Sequence, residues 1–420
     1  MPDSRSLRDP VRVWLDGEAT LAERGEPVAV ALLAAGHLAL ARSPKFHRPR
    51  GPSCLRAACD GCLARVDEVP NVMTCRVPAE EGMRVETQNV AGSRDTDLLR
   101  VTDWFFPEGM DPHELLAGVP GAGQVMQAFA RQVAGLGRLP AQPKGPVEAR
   151  RRQVDVLVVG CGAAGMLSAL QLAARGRQVE VVDDDLTPGG SLFALSGEAR
   201  RPWEPLLGSF ERAVAERRVL LYLRSTAAGV YGNDILVAST AGVEVVTARV
   251  LVLAPGAHDG TAAFEGNDLP GVMSARAAAR LLGHGVRLGK KVVLARTASP
   301  AGPFGAAFAA ARPDVVQVDG VPSRARGSAR VRAVDVGGRE LPCDLLVVEA
   351  PPAPAYELCA QAGAELTHEP RGFAVRTQAA GRIRDGVYAC GEVTGAPLDL
   401  EVLERAARAL AEQVEQLSPP

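Results

Sequence analysis

The chain carries almost no net charge, few aromatic residues and only six histidines in 420 residues. With 47 Lys and Arg against 49 Asp and Glu, the formal charge of -2 gives no field to gather nucleic acid or an anionic membrane. Partners must be recognised by shape and specific chemistry. No apolar run reaches the roughly 20 residues needed to cross a bilayer, and the longest, VAVALLAAGHLALA from Val28, stops short of it. The opening MPDSRSLRDP lacks the apolar centre of a signal peptide, so a cytoplasmic protein is expected. The histidines are scattered, and neither a Ser/His/Asp constellation nor a pair of acids spaced for substrate chemistry is visible, so no catalytic residue is assigned. An isolated His such as His113 reads as a solvated or capping side chain. Short-period repeats and low-complexity tracts are also missing.

What the chain has is cysteine concentrated in one place. Four of its eight cysteines are Cys54, Cys59, Cys62 and Cys75, in the spacing C-x4-C-x2-C-x12-C. In a reducing compartment such a group binds metal or works in redox chemistry rather than forming a disulfide framework. The first three intervals are those of plant-type [2Fe-2S] ferredoxins. A loop with three close thiolates wraps one side of such a cluster, and the fourth must come from a strand that folds back. LARV and VMTC, joined by hairpin residues Asp67 to Asn71, give Cys75 that return. The small residues Ala57, Ala58 and Gly61 let peptide N–H groups approach the sulfurs. A structural zinc site is the competing reading, although zinc favours paired C-x2-C knuckles and one such pair occurs here. Around the cysteines, VRVWL, an Asp16-Gly17 turn, a second short strand, an apolar helix from about Val28 to Ala41, and MRVET follow the order of a β-grasp ferredoxin. Cys161, Cys343, Cys359 and Cys390 stand alone in apolar contexts and read as buried structural thiols.

A second pattern begins at VDVLVVGCGAAGMLSALQLAARGRQVEVVDDD, which reads as strand, glycine turn, Ala-rich helix and strand. Gly160, Gly162 and Gly165 form G-x-G-x-x-G, with Ala163 and Ala164 inside it, and Asp183 ends the second strand 23 residues after Gly160. In such a unit Gly160 makes the tight turn, Gly162 lets a pyrophosphate approach the backbone, and Gly165 lets the helix pack on the strand. The helix N-terminus then faces the phosphates and Asp183 can accept a ribose hydroxyl. Three further segments resemble those of two-dinucleotide-domain flavoproteins and favour FAD here: Pro188-Gly189-Gly190, Ala254-Pro255-Gly256, and GVYACGEVTG with its pair Gly391 and Glu392. That family usually has Ala-Thr-Gly at the second and Asp where Glu392 stands. NAD or ATP would suit the same glycine turn. KKVVLARTASPAG, from Lys290, opens a second such unit without the glycines a pyrophosphate needs, and scaffold is its expected role. No C-x2-C or C-x4-C lies near the flavin segment, so the disulfide reductase branch of the fold is not expected. A last helix carries an apolar face of Leu400, Leu403, Ala407, Leu410, Val414 and Leu417.

The expected fold is therefore an α/β multidomain chain, a β-grasp [2Fe-2S] ferredoxin-like domain fused to a Rossmann-like flavoprotein of the two-dinucleotide-binding-domain type. Residues 1–92 would form the cluster domain and 93–152 a connection. The FAD-type domain would comprise 153–265 with 370–420, and 266–369 an inserted, degenerate NAD-type domain. The connection holds an aromatic segment from Asp103 to Asp111, a helix around GQVMQAFARQVAGL and a linker PAQPKGPVEARRRQ. Trp104, Phe105, Phe106 and Met110 are candidates for a docking surface, or for packing against the cluster domain.

The order of these parts, with RSPKFHRPRG before the first cysteine, VPNVMTC at the last and LPGVMSA at Leu269 to Ala275, resembles the α subunits of heteromeric amine and amino-acid oxidoreductases. That group includes sarcosine oxidase, opine oxidase, hydrogen cyanide synthase and dye-linked proline dehydrogenase. The resemblance implies a [2Fe-2S] cluster, FAD, and a separate flavoprotein β subunit of the D-amino-acid-oxidase type that holds the amine or amino-acid substrate. The folate-binding extension and the C-terminal cysteine-rich cluster domain of some relatives have no counterpart in the sequence, so folate chemistry is not implied. Cluster and flavin together suit a converter between two-electron and one-electron transfer. Two other readings stay open, a self-sufficient NAD(P)H-dependent FAD/[2Fe-2S] reductase and a zinc-stabilised assembly subunit with a non-functional nucleotide fold.

Overall fold

The computed structural model describes residues 5–44, 46–105, 145, 147–298 and 302–417. In the first strand, Pro10–Leu15, alternation turns Val11, Val13 and Leu15 inward. Asp16 and Gly17, both at positive φ, make the tight turn into Glu18–Glu23. The five-stranded sheet runs Glu18–Glu23, Pro10–Leu15, Arg84–Glu86, Leu63–Val66, Val69–Met73. Pro10–Leu15 and Arg84–Glu86 are parallel neighbours and the other pairs are antiparallel, as in a β-grasp. Helix Val28–Ala34 buries Val28 to Leu33. It ends well before the expected Ala41, because Gly36 takes φ 94 and a Schellman pair closes the helix, with His37 N–H on Leu32 O and Gly36 N–H on Leu33 O. The residues that follow pair as a short ladder, Ala41–Arg42 with Pro49–Arg50.

The largest sheet has strand Arg150–Val159 near its middle, in the order Val219–Tyr222, Val179–Val182, Arg150–Val159, Gly242–Leu253, Asp234–Ser239, Ser225–Tyr231, and Val387–Ala389 also pairs with Gly242–Leu253. Its pairs along Val179–Val182, Arg150–Val159, Gly242–Leu253 and Val387–Ala389 are parallel. The residues RRRQ, expected in a linker, are the start of the long strand: Arg152 is held by Glu180 at 2.6 Å and Glu244 at 2.9 Å. Helix Ala163–Ala173 packs on this sheet and against the final helix Leu400–Leu417. That helix buries Leu403, Ala407, Leu410 and Val414 as its periodicity requires, together with Ala411, while Leu400 is half-buried. The side chain of Leu417 lies outside the described residues.

A third sheet is wholly parallel, in the order Val272–Ser274, Leu345–Glu349, Val292–Arg296, Val316–Asp319. Helices Ala275–Gly283 and Pro303–Ala311 pack beside it and on each other. One contiguous apolar cluster joins the first sheet and its helix (Val13, Val85 and Leu32) to the second sheet (Val156, Val158, Val181) and the third (Leu294, Val347), so the three sheets share a core. The expected helix around GQVMQAFARQVAGL, with Phe106 and Met110, lies outside the described residues. Among the described residues no helix is long and apolar enough to cross a membrane.

Candidate cluster loop and dinucleotide cleft

The four cysteines gather in two pairs. Cys54 and Cys59 have their sulfurs 3.4 Å apart, and Cys62 is hydrogen-bonded to Cys75, which the returning strand delivers on a short 3-10 turn at Thr74–Arg76. Leu55 and Ala57 take left-handed φ values of 52° and 58°, which turns peptide N–H groups inward. Arg56 and Ala58 each donate a backbone N–H to Cys54 Sγ at 3.3 Å. The backbones of Ser53 and Gly61 face Cys59, and that of Ala57 faces Cys75. Within the first pair the hydrogen bond from Cys54 holds the Cys59 thiol down at about 5 against the effect of burial. Within the second, Cys62 likewise lowers Cys75. Gly61 has a further reason to be glycine, since a Cβ there would sit 1.9 Å from Gly51 O. Among the described residues no three His, Cys, Asp or Glu side chains converge as one ion requires. Sulfurs paired two and two, with peptide N–H groups aimed at them, fit the two irons of a [2Fe-2S] cluster.

Beyond the loop lies a cleft lined by Gly160, Gly162, Ala163, Ala164, Asp183, Gly190, Gly256, Gly391 and Glu392, whereas Gly165 and Gly189 do not line it. The three glycines of the turn differ in what they are for. At Gly160, φ is 103° and a Cβ would meet Ala254 O at 2.2 Å; at Gly165 it would meet Gly160 O at 1.9 Å. The chain itself demands both. Gly162 caps helix Ala163–Ala173 in extended backbone, and a Cβ there would meet nothing within 4 Å, so the space over the helix N-terminus is open to a ligand. The opposite wall is close: Gly190 at φ 52° brings its Cβ direction to 3.1 Å from Gly162 Cα, and a Cβ on Gly391 at φ 84° would lie 2.6 Å from Ala164 Cβ. Gly189, at φ 115°, donates its N–H to Cys161 O at 2.8 Å.

Asp183 accepts the N–H groups of Cys161 at 2.5 Å and Asp185 at 2.7 Å. Burial pushes its pKa up, with the backbone of Cys161 opposing. Each carboxylate oxygen keeps lone-pair capacity toward the cleft. Glu392 receives Ser191 Oγ at 3.3 Å on Oε2 and lies 3.4 Å from Arg276 Nη2 on Oε1. A Cβ on Gly256, at φ 79°, would come within 3.7 Å of the same carboxylate. The longer side chain at this position therefore reaches a buried guanidinium. Cys161, Cys343, Cys359 and Cys390 are all buried, and burial raises each thiol.

Several arginines belong to this site without having been read from the sequence. Arg56, inside the cysteine loop, donates Nη1 to Ala257 O at 2.8 Å, and Arg76, next to Cys75, lies 3.0 Å from both Asp184 Oδ1 and Asp185 Oδ1. Both line the cleft, as does Ala58, so the cysteine loop forms one of its walls. Arg276 adds contacts to Ser191 Oγ at 3.2 Å and Ala257 O at 2.9 Å, and stacks 4.6 Å from the centre of the Phe304 ring. Arg56 and Arg76 adjoin cysteines of the motif, which was the available signal; nothing local marks Arg276.

Comparison with known proteins agrees with this geometry. A family described as 2Fe-2S iron-sulfur cluster binding domain matches residues 8–90, and one described as FAD binding domain matches residues 155–209. The alpha subunit of sarcosine oxidase from Rhizobium meliloti (strain 1021) is 30% identical over 356 residues, covering 77% of this chain and 36% of that one. One subunit of opine oxidase from Agrobacterium tumefaciens (strain Ach5) is 32% identical over 140 residues, covering 30% of this chain and 28% of the relative. The crystal structure of L-proline dehydrogenase from P. horikoshii has a TM-score of 0.74 at 22% identity, over 99% of this chain and 76% of that one. T. acidophilum thioredoxin reductase, at TM-score 0.50 and 17% identity, covers 63% of this chain and 98% of its own. The chain spans about a third of the length of the curated sarcosine oxidase subunits it matches, 36%, 34% and 30%. With a [2Fe-2S] cluster-binding domain joined to an FAD-binding domain of Rossmann-like flavoprotein fold, the chain is a relative of the α subunit of sarcosine oxidase and of opine oxidase.

Proposed function

We propose that the chain is the electron-transfer subunit of a heteromeric amine or amino-acid dehydrogenase or oxidase. The observation that carries this reading is the shared wall: Arg56 and Ala58, from the loop between Cys54 and Cys59, line the same cleft as Gly162, Asp183 and Glu392. Cys54 with Cys59 would hold one iron of the cluster, and Cys62 with Cys75 the other. Gly160, Gly162, Ala163, Ala164 and Gly165 would cradle a pyrophosphate, Asp183 would accept ribose hydroxyls, and Gly189, Gly190, Gly256, Gly391 and Glu392 would flank the flavin side. Bound flavin accepts two electrons and releases them singly, and a [2Fe-2S] cluster carries one at a time. The chain's own residues keep the two sites together: Arg76 pins the loop to Asp184 and Asp185, and Arg56 ties it to Ala257.

Oxidation of the amine itself belongs, in this reading, to a flavoprotein β subunit of the D-amino-acid-oxidase type. Helix Val101–Phe105 supports a docking role, because Asp103 is tied to Arg48 at 2.6 Å while Trp104 and Phe105 are 79% and 74% exposed. The division into residues 1–92, 93–152, 153–265 with 370–420, and 266–369, amended so that Arg150 to Arg152 go with the strand they begin, and a cytoplasmic location, belong to the same proposal.

The test is to purify the chain alone and with a candidate β subunit, identify the nucleotide released on denaturation, and assay amine-dependent dye reduction. Iron with FAD, and activity only in the complex, is the expected result. Full activity from the isolated chain, or zinc without iron after anaerobic preparation, would overturn the proposal. Rapid NADH-dependent reduction of the isolated chain would favour the reductase instead.

A further inference from the structure

Two helices in this chain start on a glycine cap beside a parallel sheet. Gly162 precedes Ala163–Ala173 and Gly302 precedes Pro303–Ala311, with nearly the same backbone, φ -78° and -73°. What lies over the two caps differs. A Cβ at Gly162 would meet nothing within 4 Å, whereas one at Gly302 would meet Glu349 Oε1 at 2.6 Å, and one at Gly305 would meet Glu349 Oε2 at 2.2 Å.

Glu349 ends strand Leu345–Glu349, inside the parallel sheet and in register with Arg296. Alternation places its side chain on the face of Leu345 and Val347, which share the core of Phe304 and Phe308 from helix Pro303–Ala311. The residue is only 8% exposed. Oε1 accepts the Gly305 N–H at 2.7 Å, and Oε2 makes no hydrogen bond. Burial raises its pKa, while the N–H groups of Gly305, Gly302 and Phe304 pull the other way. A buried acid placed on a helix N-terminus, with one oxygen unpartnered, occupies the place where dinucleotide-binding units hold a phosphate.

We infer that Glu349 is a built-in substitute for the pyrophosphate of a second dinucleotide, and that it closes this unit to NAD(P)H. The missing glycines make the second unit a poor host; Glu349 makes it an occupied one. The first unit has no such acid over Gly162 and stays open. The inference concerns the second unit alone and stands or falls independently of the amine reading, since its test involves neither amine nor partner.

The test uses holoprotein carrying its cluster and resident dinucleotide, titrated calorimetrically with NADH and with inorganic pyrophosphate while any released cofactor is measured. The wild-type chain should take up neither probe beyond its resident dinucleotide. Glu349→Ala should bind one further equivalent at least tenfold more tightly than wild type, and Glu349→Gln, which keeps the shape and an acceptor for Gly305, should stay closed. One further equivalent of NADH on the wild-type chain would overturn the inference. So would a Glu349→Ala protein with an unchanged visible spectrum that gains no binding. Should that variant fail to fold, amide exchange on the wild-type chain decides: protection of Phe304 and Gly305 by NADH would refute the closure, and unchanged exchange would support it.

Discussion

Arg76 Nη1 lies 3.0 Å from Asp185 Oδ1, which ties the residue after the last cluster cysteine to a carboxylate two residues past Asp183. Arg280 approaches the other oxygen of Asp185 at 2.9 Å, so one acid bridges the cysteine domain, the dinucleotide unit and helix Ala275–Gly283. Asp185 is buried, and the two arginines together lower its pKa against the cost of burial.

Replacing Arg76 by Met keeps the aliphatic stem and removes the charge. Asp184 loses a charged hydrogen-bond partner, an effect worth about 1.5–3 kcal/mol, and Asp185 loses one of its two ion-pair partners. The low end is expected, because Arg280 still holds Asp185. The thermal midpoint of Arg76→Met should fall with iron content retained. An unchanged midpoint would show that the Arg76 pairs do not hold the loop.

The glycine turn separates folding from binding. Gly162→Val places a side chain where the fold has nothing within 4 Å, so the protein should stay folded, losing about 1 kcal/mol for a poor helix cap. It should lose the dinucleotide, because the branched side chain occupies the pyrophosphate space. Gly165→Ala does the opposite: its Cβ would lie 1.9 Å from Gly160 O, and the helix must move off the strand. Overpacking of this kind typically costs about 1–3 kcal/mol. Nucleotide released per mole of folded protein, together with the melting curve, distinguishes the two variants.

The parts of this site that depend on local spacing were legible in the sequence. Cys54, Cys59 and Cys62 lie within a few residues of one another, as do Gly160, Gly162 and Gly165, and a ligand-binding loop has to keep such intervals. The partners of the charged residues were not legible, because folding alone brings them together. Arg76 finds Asp184 across 108 residues, and Arg276 finds Glu392 across 116. Glu349 reads in sequence as the end of an apolar strand, and its meaning comes from a helix start 44 residues away at Gly305. Helix Val28–Ala34 shows a different kind of miss. The apolar run to Ala41 suggested a longer helix, while Gly36 at φ 94° stops it and Ala41 enters the short ladder. RRRQ looked like a solvated linker because its charges lack local partners; Glu180 and Glu244 partner Arg152 from neighbouring strands, and Asp234 partners Arg151.

His284 gives the stability a defined dependence on pH. Burial, then Arg280 and Arg5, lower its pKa to about 4 from the ordinary 6.5, and its ring lies 4.9 Å from that of Phe193. The unfolded chain therefore binds this proton more tightly than the folded one. The contribution is present in full above pH 6.5 and is lost as the pH falls toward 4, by at most about 3 kcal/mol. His284→Phe keeps a ring beside Phe193 and has no proton to bind. Its melting midpoint should fall less than that of the wild-type chain between those pH values, and parallel curves would assign the pH dependence to other groups.

Trp104 and Phe105 test the proposed partner surface. They are among the most exposed large apolar side chains described, on a helix whose Asp103 is fixed by Arg48. Aromatic residues in such a position tend to become buried anchors of an interface, and loss of one anchor commonly costs more than 2 kcal/mol of binding, roughly thirtyfold in affinity. Trp104→Ser should therefore weaken association with the β subunit by about that factor, while iron, nucleotide and melting midpoint of the isolated chain stay as they are. Arg48→Ala, which frees the helix without removing the ring, should weaken it less. Affinity would be measured by calorimetry with the candidate β subunit. If Trp104→Ser binds as tightly as the wild-type chain, the docking surface lies elsewhere. If it lowers the melting midpoint of the isolated chain, the ring belongs to the packing of the cluster domain.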